Sequence, residues 1–497
     1  MVFNYYDDLV NVKSVLVFVL MYLLVVWWRQ QLRNLPPGPW RFPIIGFVPQ
    51  LMWSMFYKRE EMHMLATRLG LKYGKICSFD LFGHVFVVIN DFGIMKESNN
   101  NPLHTNKGHN HEFEYKLFGS IYHSGKHFVE YRKFFTQTFR GFGIGTRSFE
   151  ANITANPSSS YRSWMLFGIP FNPHQFFVNC TTNILFAVVF GKRHDYDDEN
   201  FRYITDSNFG FMHLAGPGLW SIMLPKYMYY PNNDTREMLR LIKDVHGFVD
   251  KCIEEHREIF DAQNTKDFID VYLKAMEEAP KPDDPFSYLQ EYNMHAALYL
   301  MFMAGVGNIS ETLEWCCLYM MAYPDIQKKI QEELDSVVGR NRLPQVSDQE
   351  QLPYTRAALF EIQRHVSLAP LSTFHTANDE TSLHGYHIPK GATIVSNLYA
   401  VMRNPNTFTE PDQFKPERFI NDEGKYFERK EVCPFGIGRR NCVGQSLAKM
   451  ELFVFFTHLL HRYSLVKPDD APPITFNGAY GLTFAPKPYI IKFDLRM

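Results

Sequence analysis

Apolar and polar positions are arranged along this chain in several distinct patterns. Residues 14–28, SVLVFVLMYLLVVWW, form an uncharged apolar run. Counted from Leu9, the run reaches about the 20 residues that a helix needs to cross a bilayer, with Asn11 and Lys13 weakening its outer end. Residues 291–322 are apolar on most faces, the pattern of a helix buried in the middle of a large protein. From Pro324 the pattern becomes amphipathic: Ile326, Ile330 and Leu334 recur every fourth residue, Lys328, Lys329, Glu332 and Glu333 face water, and Gly339 ends the segment. Pro353 opens a further helix, and residues 445–458 read as another amphipathic one. Short β-type segments at 77–90 and 381–397, the latter turning at Pro389-Lys390-Gly391, predict small sheets. The fold class is mainly α with small β-sheets.

The amino-terminal run ends in Trp27 and Trp28, where an aromatic membrane belt would sit, and is followed by Arg29 and Arg33 and preceded by Asp7 and Asp8. A cleaved signal peptide is the competing reading, but arginines stand where a small-residue cleavage site would be needed. The expected arrangement is a retained anchor at 1–30 with the rest of the chain in the cytosol, followed by a proline-rich hinge at 31–45 carrying Leu35-Pro36-Pro37-Gly38-Pro39. In that compartment the N-x-S/T matches at Asn152, Asn179, Asn233 and Asn308 are expected to stay unused. At roughly 150 residues per domain the chain could hold about three domains. No Ser/Gly-rich linker, charge block or fixed-period repeat divides residues 46–497, so a single domain is expected there.

Composition narrows the class. With 46% hydrophobic and 16% aromatic residues the chain can bury a large core and is neither disordered nor fibrous. Its 51 basic and 53 acidic residues leave a formal charge of -2, without the basic footprint of a nucleic-acid binder. The seven cysteines, at 77, 180, 252, 316, 317, 433 and 442, are odd in number and irregularly spaced, which argues against a secreted disulfide scaffold.

One of those cysteines stands in a chemically pointed setting. Phe435-Gly436-Ile437-Gly438-Arg439-Arg440-Asn441-Cys442-Val443-Gly444 places a lone thiol just before a helix, where backbone N–H groups and neighbouring arginines favour a thiolate. The glycines allow tight turns and close approach of a flat cofactor, and Arg440 can pair with a carboxylate, a set that fits haem ligation. A buried structural cysteine in a glycine turn is the plainer alternative. Cys433 has no second Cys/His pair at ligand spacing, so a zinc site is not expected.

The segment resembles, at every fixed position, the haem-binding signature of the cytochrome P450 family, F-x-x-G-x-R-x-C-x-G. The resemblance implies the P450 fold, with haem b (iron protoporphyrin IX) bound through Cys442, Phe435 beside the sulfur and Arg440 on a haem propionate. Glu361 and Arg364 in FEIQR, together with Arg418 of Pro416-Glu417-Arg418-Phe419, resemble the family's structural triad of E-x-x-R and P-x-R-F. His375 matches a position of a propionate partner. Residues 124–133 resemble the family's W-x-x-x-R helix, with Phe128 in place of Trp and Arg132 retained, so the propionate contact of an indole N–H is lost. Lys126, Arg132, Lys133, Arg439 and Lys449 are candidates for a basic face that an acidic electron donor would meet. The glycines of 141–145 follow a helix rather than a strand and are not read as a nucleotide loop, and His109-Asn110-His111-Glu112 reads as a polar loop rather than a metal site.

The pattern breaks at the oxygen-activation sequence. Ala304-Gly305-Val306-Gly307-Asn308 aligns with A-G-x-[D/E]-T, but Gly307 and Asn308 replace the acid and the hydroxyl that help carry protons. Asparagine hydrogen-bonds without titrating, so a relay must run through water, substrate or another side chain, with Ser310 and Thr312 nearby. Ala304, Gly307 and Asn308 are therefore the expected residues at the reacting centre. The resemblance implies a monooxygenase of the endoplasmic reticulum membrane, acting on a lipophilic substrate (steroid, fatty acid, terpenoid or xenobiotic). It also implies electrons from NADPH-cytochrome P450 reductase, with cytochrome b5 as an alternative donor. Substrate contacts are expected around 113–117, 209–230, Ala304, 371–374 and 480–482. Two other readings stay open: a haem-thiolate isomerase or dehydratase acting on fatty-acid hydroperoxides without a reductase, and a haem sensor without turnover.

Overall fold

The computed structural model describes residues 13–25, 34–42, 44–107, 124–146, 149–154, 168–223, 233–279, 287 and 289–496. It is mainly helical with small sheets, as the pattern predicts. Two compact units make it up.

The smaller unit comprises Met1–His109, Leu371–Val401 and Ile437–Arg440. Residues 13–25 are helical, with Val15, Leu16 and Phe18 exposed. Among the described residues no helix is long and apolar enough to cross a membrane. Trp27, Trp28 and Arg29 of the expected anchor, and Arg33 behind it, lie outside them. The proline segment is docked rather than free: the Pro37 carbonyl accepts from Ser78 N at 2.9 Å and that of Pro36 from Ser78 Oγ at 2.5 Å. A Cβ at Gly38 would meet Ser78 O at 1.7 Å, so only glycine permits this approach.

This unit contains α1 (Met62–Tyr73), β1 (Ile76–Leu81), β2 (His84–Ile89), α2 (Phe92–Asn100), β3 (His375–Thr376), β4 (Thr381–Leu383), β5 (Tyr386–Ile388) and β6 (Thr393–Ser396). The expected β segment at 77–90 divides where Phe82 and Gly83 both take positive φ, the turn geometry that matches strand twist. Strand β2 runs parallel to β6, which pairs antiparallel with β3, giving the order β1-β2-β6-β3. Strands β4 and β5 form a separate hairpin.

The larger unit comprises Asn110–Pro370, Met402–Gly436 and Asn441–Met497. Its helices include α3 (Gly125–Gly141), α4 (His174–Val189), α5 (Glu199–Met223), α6 (Asn233–Ile259), α7 (Phe268–Glu278), α8 (Glu291–Ala322), α9 (Pro324–Val337), α10 (Pro353–Val366) and α11 (Gln445–Arg462). Its strands are β7 (Tyr463–Val466), β8 (Gly478–Tyr480), β9 (Phe484–Pro486) and β10 (Lys492–Leu495), pairing as β7 with β10 and β8 with β9. Helix α8 covers the expected 291–322 and packs along α4 and against α6 and α11, and it has few polar positions because most of its faces meet other helices.

Helix α9 buries Ile330 and Leu334, and Gly339, at φ +72°, follows it. Its buried glutamines tie it to β7: Gln327 donates to Leu465 O at 3.0 Å and Gln331 to Tyr463 O at 3.0 Å. Glu333 departs from its expected place in water. Its carboxylate accepts from Tyr354 N, Thr355 N and Thr355 Oγ1 at 2.6–2.8 Å, satisfying the free donors at the start of α10.

Candidate functional site

The cysteine loop is closed by backbone hydrogen bonds, Gly436 N to Cys433 O at 3.0 Å and Cys442 N to Phe435 O at 2.9 Å, with Gly436 at φ +70° making the turn. Helix α11 starts three residues after Cys442, with Gly444 at its cap. Alone among the seven cysteines, Cys442 is exposed. Burial pushes the thiols of Cys77, Cys180, Cys252 and Cys433 up to about 12, leaving them inert. Surrounding protein desolvates the Cys442 thiol too and raises it, opposed by the Gly444 N–H and the Arg132 guanidinium. The helix start and the Arg132 guanidinium act in the direction of a thiolate, but desolvation outweighs them.

On α3, Phe128 is buried and Arg132 is half-buried. Arg132 donates Nη1 to Asn441 O and Nη2 to Asn441 Oδ1, each at 2.5 Å. Asn441 was not singled out in the sequence, since its place in the signature is a variable one. Lys126 and Lys133 of α3 are exposed, and Lys449 pairs with Glu428 at 3.6 Å.

Within the smaller unit, Arg440 Nε donates to Thr105 O at 2.9 Å, and Gly438 lies so close to α2 that a Cβ would meet Asn99 O at 2.4 Å. His375 is buried, and its Nδ1 has no hydrogen-bond partner among the described residues. Burial and then the charges of Lys107, Arg440 and His104 hold its imidazole well below the usual range, so it is neutral. Buried Lys107 donates to Phe374 O at 2.8 Å. Within the smaller unit, two cations beside an orphaned imidazole nitrogen suit carboxylates such as those of a haem; in the larger unit, the exposed Cys442 thiol suits an iron. Lys107 carries no motif that would have marked it.

The pairing of Glu361 and Arg364 is buried completely, both side chains being 0% exposed. Arg364 binds Glu361 at 2.6 and 2.9 Å and reaches Met402 O and Pro411 O, while Arg418 Nε and Lys415 N bind Glu361 Oε1 at 2.9 and 3.0 Å. Every charge in the cluster is matched by hydrogen bonds, which makes it a structural clamp.

Helix α8 has one open stripe. Ala304 is exposed and Met301, Gly305 and Asn308 are half-open within a helix otherwise buried over most of its length. The Asn308 amide nitrogen donates to Ala304 O at 2.9 Å. Of the expected substrate contacts, Phe209, Phe211 and Met212 are buried on α5, and Met212 O accepts from Leu482 N at 3.0 Å. Within the smaller unit Leu371 bridges to Asn397. Residues 113–117, 224–230 and the polar loop from His109 to Glu112 lie outside the described residues.

A family model described as Cytochrome P450 matches residues 36–493. Cytochrome P450 2U1 of Bos taurus is 33% identical over 513 residues, covering 97% of this chain and 93% of that protein. The Homo sapiens protein of the same name is 33% identical over 497 residues (94% and 90%), and cytochrome P450 2J1 of Oryctolagus cuniculus is 31% identical over 483 residues (95% and 94%).

Proposed function

The chain belongs to the cytochrome P450 family of haem-thiolate monooxygenases, and from that premise we propose that it inserts one oxygen atom of O2 into a lipophilic substrate, with Cys442 as the axial ligand of haem b. The observation that carries the reading is Cys442 itself, the one exposed thiol of seven, lying in a loop that matches the family's signature at each fixed position. When bound, the haem supplies dioxygen binding and activation, for which two electrons are needed.

The protein's own part is to hold and orient. Cys442 provides the sulfur, with Phe435 beside it in sequence register. Arg440 and His375, joined by Lys107, are the residues we assign to the propionate carboxylates, and Arg132 orients the ligand loop through Asn441. The open stripe at Ala304 and Asn308, with Gly307 beside it, is assigned to the reacting end of the substrate. An apolar substrate is supported by the aromatic character of α5, where Phe209 and Phe211 stand in the segment that the resemblance places near the substrate.

Electrons are assigned to NADPH through a flavin-containing reductase, with cytochrome b5 as an alternative donor, met by the exposed Lys126 and Lys133. Residence on the endoplasmic reticulum membrane through a single amino-terminal anchor is supported by the exposed apolar helix at 13–25 and by exposed Trp53, Phe56 and Tyr57. Residues 46–497 are taken as one catalytic domain, since the family model spans 36–493.

The test is to express the full chain in membranes, record the carbon monoxide difference spectrum, and compare NADPH-driven product formation with hydroperoxide consumption. A thiolate-type spectrum lost in Cys442→Ala supports the ligand. Fast hydroperoxide rearrangement without reductase, and no NADPH-driven product, would establish the isomerase reading that Gly307 and Asn308 keep in play.

A further inference from the structure

Oxygen insertion consumes protons as well as electrons: RH + O2 + 2 H+ + 2 e− gives ROH + H2O. The open stripe of α8 itself carries no titratable side chain, for Gly307 has none and the Asn308 amide does not ionise near neutral pH. The nearby hydroxyls are committed to their own helix. Ser310 Oγ donates to Val306 O and Gly307 O at 3.1 and 3.0 Å, and Thr312 Oγ1 donates to Asn308 O at 2.7 Å.

One helical turn beyond Gly307 stands Glu311. Helical periodicity sets it between Ala304 and Gly307 as viewed down the axis, on the side of the open stripe. It is 2% exposed, its Oε2 has no hydrogen-bond partner among the described residues, and Thr483 hydrogen-bonds its carboxyl. The same flank carries Met212, which a Cβ at Gly307 would meet at 3.4 Å and whose carbonyl accepts from Leu482, the neighbour of Thr483. Beyond Glu311 on α8 lies Glu314, whose Oε1 is 2.9 Å from His174 Nδ1 of α4, and the His174 side chain is 35% exposed. Buried acid, second carboxylate and imidazole thus run from the side of the open stripe to solvent.

Resting on the monooxygenase reading, we propose that Glu311 is the proton-holding residue for oxygen insertion in this chain, recharged from solvent through His174 and Glu314. The Glu311 carboxyl passes one proton to a water oriented by Asn308 Oδ1, the amide nitrogen being engaged with Ala304 O, and regains one through Glu314 from the His174 imidazolium, which takes its own from solvent. No charge accumulates. Burial, with a smaller push from Glu314 and against Thr483 and His174, raises the Glu311 carboxyl to about 8, so it holds its proton at neutral pH. His174, lowered by burial but raised more by Glu314, Glu311 and Asp206, stands above the ordinary imidazole value and can supply it.

Glu311→Gln in the full-length, haem-loaded protein separates this role from a structural one. Infrared spectroscopy of the wild type is expected to show a protonated carboxyl band that titrates near pH 8 and is lost in the variant. NADPH-driven product formation is expected to fall by roughly 100-fold, the lower end for a positioned acid, with the electrons diverted to hydrogen peroxide. Product formation from iodosylbenzene, which delivers an oxygen atom without protons or electrons, should be unchanged. Absence of the titrating band, or equal losses with both oxidants, or no loss with either, overturns the proposal. A wild type without NADPH-driven product removes the monooxygenase reading and this proposal with it, whatever the infrared band shows. If the variant loses its carbon monoxide spectrum, Thr483→Val decides: loss of its hydrogen bond should raise the band's titration midpoint and lower product per NADPH, and an unchanged midpoint overturns the role.

Discussion

Arg132 of α3 grips Asn441 with both terminal nitrogens, one on the backbone carbonyl and one on the side-chain oxygen, each at 2.5 Å. Asn441 directly precedes Cys442, so this fork sets the approach of the ligand loop to α3. The resemblance implies only that Arg132 is retained on this helix near the cofactor; in this structure its planar guanidinium binds the loop that carries Cys442. Arg132→Lys keeps the charge but loses the fork, and is expected to cost about 1.5–3 kcal/mol. Denaturant midpoints of the haem-loaded protein would measure it. Asn441→Ala added to Arg132→Lys should cost less than the two separately, because both remove one interaction.

Glu361 and Arg364 are fully buried and bind each other twice. Removing one partner leaves a buried charge unpaired, so Glu361→Ala is expected to destabilise the protein by about 3–5 kcal/mol. Arg418, 10% exposed, can be partly rehydrated and its loss should cost less. Urea unfolding of each variant would separate the two, and equal costs would contradict the clamp.

The accessibility of Cys442 predicts selective alkylation. In haem-free protein, iodoacetamide should modify Cys442 before any other cysteine, since the remaining six are buried. Because desolvation raises this thiol, the rate should be small at neutral pH and climb as pH rises. Haem loading should block it. Mass spectrometry of peptides would show whether another cysteine reacts first.

His256, Asp267 and Asp270 lie close enough to hold a metal, yet their side chains are already engaged in hydrogen bonds to one another and to the backbone. His256 Nδ1 donates to Cys252 O at 2.6 Å and Nε2 lies 2.9 Å from Asp267 Oδ2, so both ring nitrogens face acceptors and the ring is satisfied as imidazolium. Burial lowers its basicity, but Asp267 and the Cys252 carbonyl outweigh it and the value ends up raised. The stabilisation is therefore complete below the unfolded value of about 6.5 and is lost as pH rises through the folded one. Wild type should exceed His256→Gln in melting temperature most below pH 6, with the gap narrowing upward. A rise in melting temperature on adding zinc would contradict the assignment.

Much was legible in the chain before any fold. The bounds of α8, the proline start of α9 and the division into helices and small sheets follow from periodicity, because a helix in a large core must be apolar wherever neighbours meet it. Cys442 was legible too, since its glycines and arginines are neighbours in sequence. Glu333 was misread as a water-facing charge because the α10 donors it satisfies are about twenty residues away.

Local pattern and local chemistry, then, determined the fold class and the ligand loop. Tertiary structure alone decided which charges lie in water and which do not. Glu361 and Glu311 are both helical glutamates in the sequence; folding surrounds one with two arginines and leaves the other beside Thr483 with an unpartnered oxygen. Their protonation and roles depend on desolvation and on partners from distant segments, which no spacing along the chain encodes.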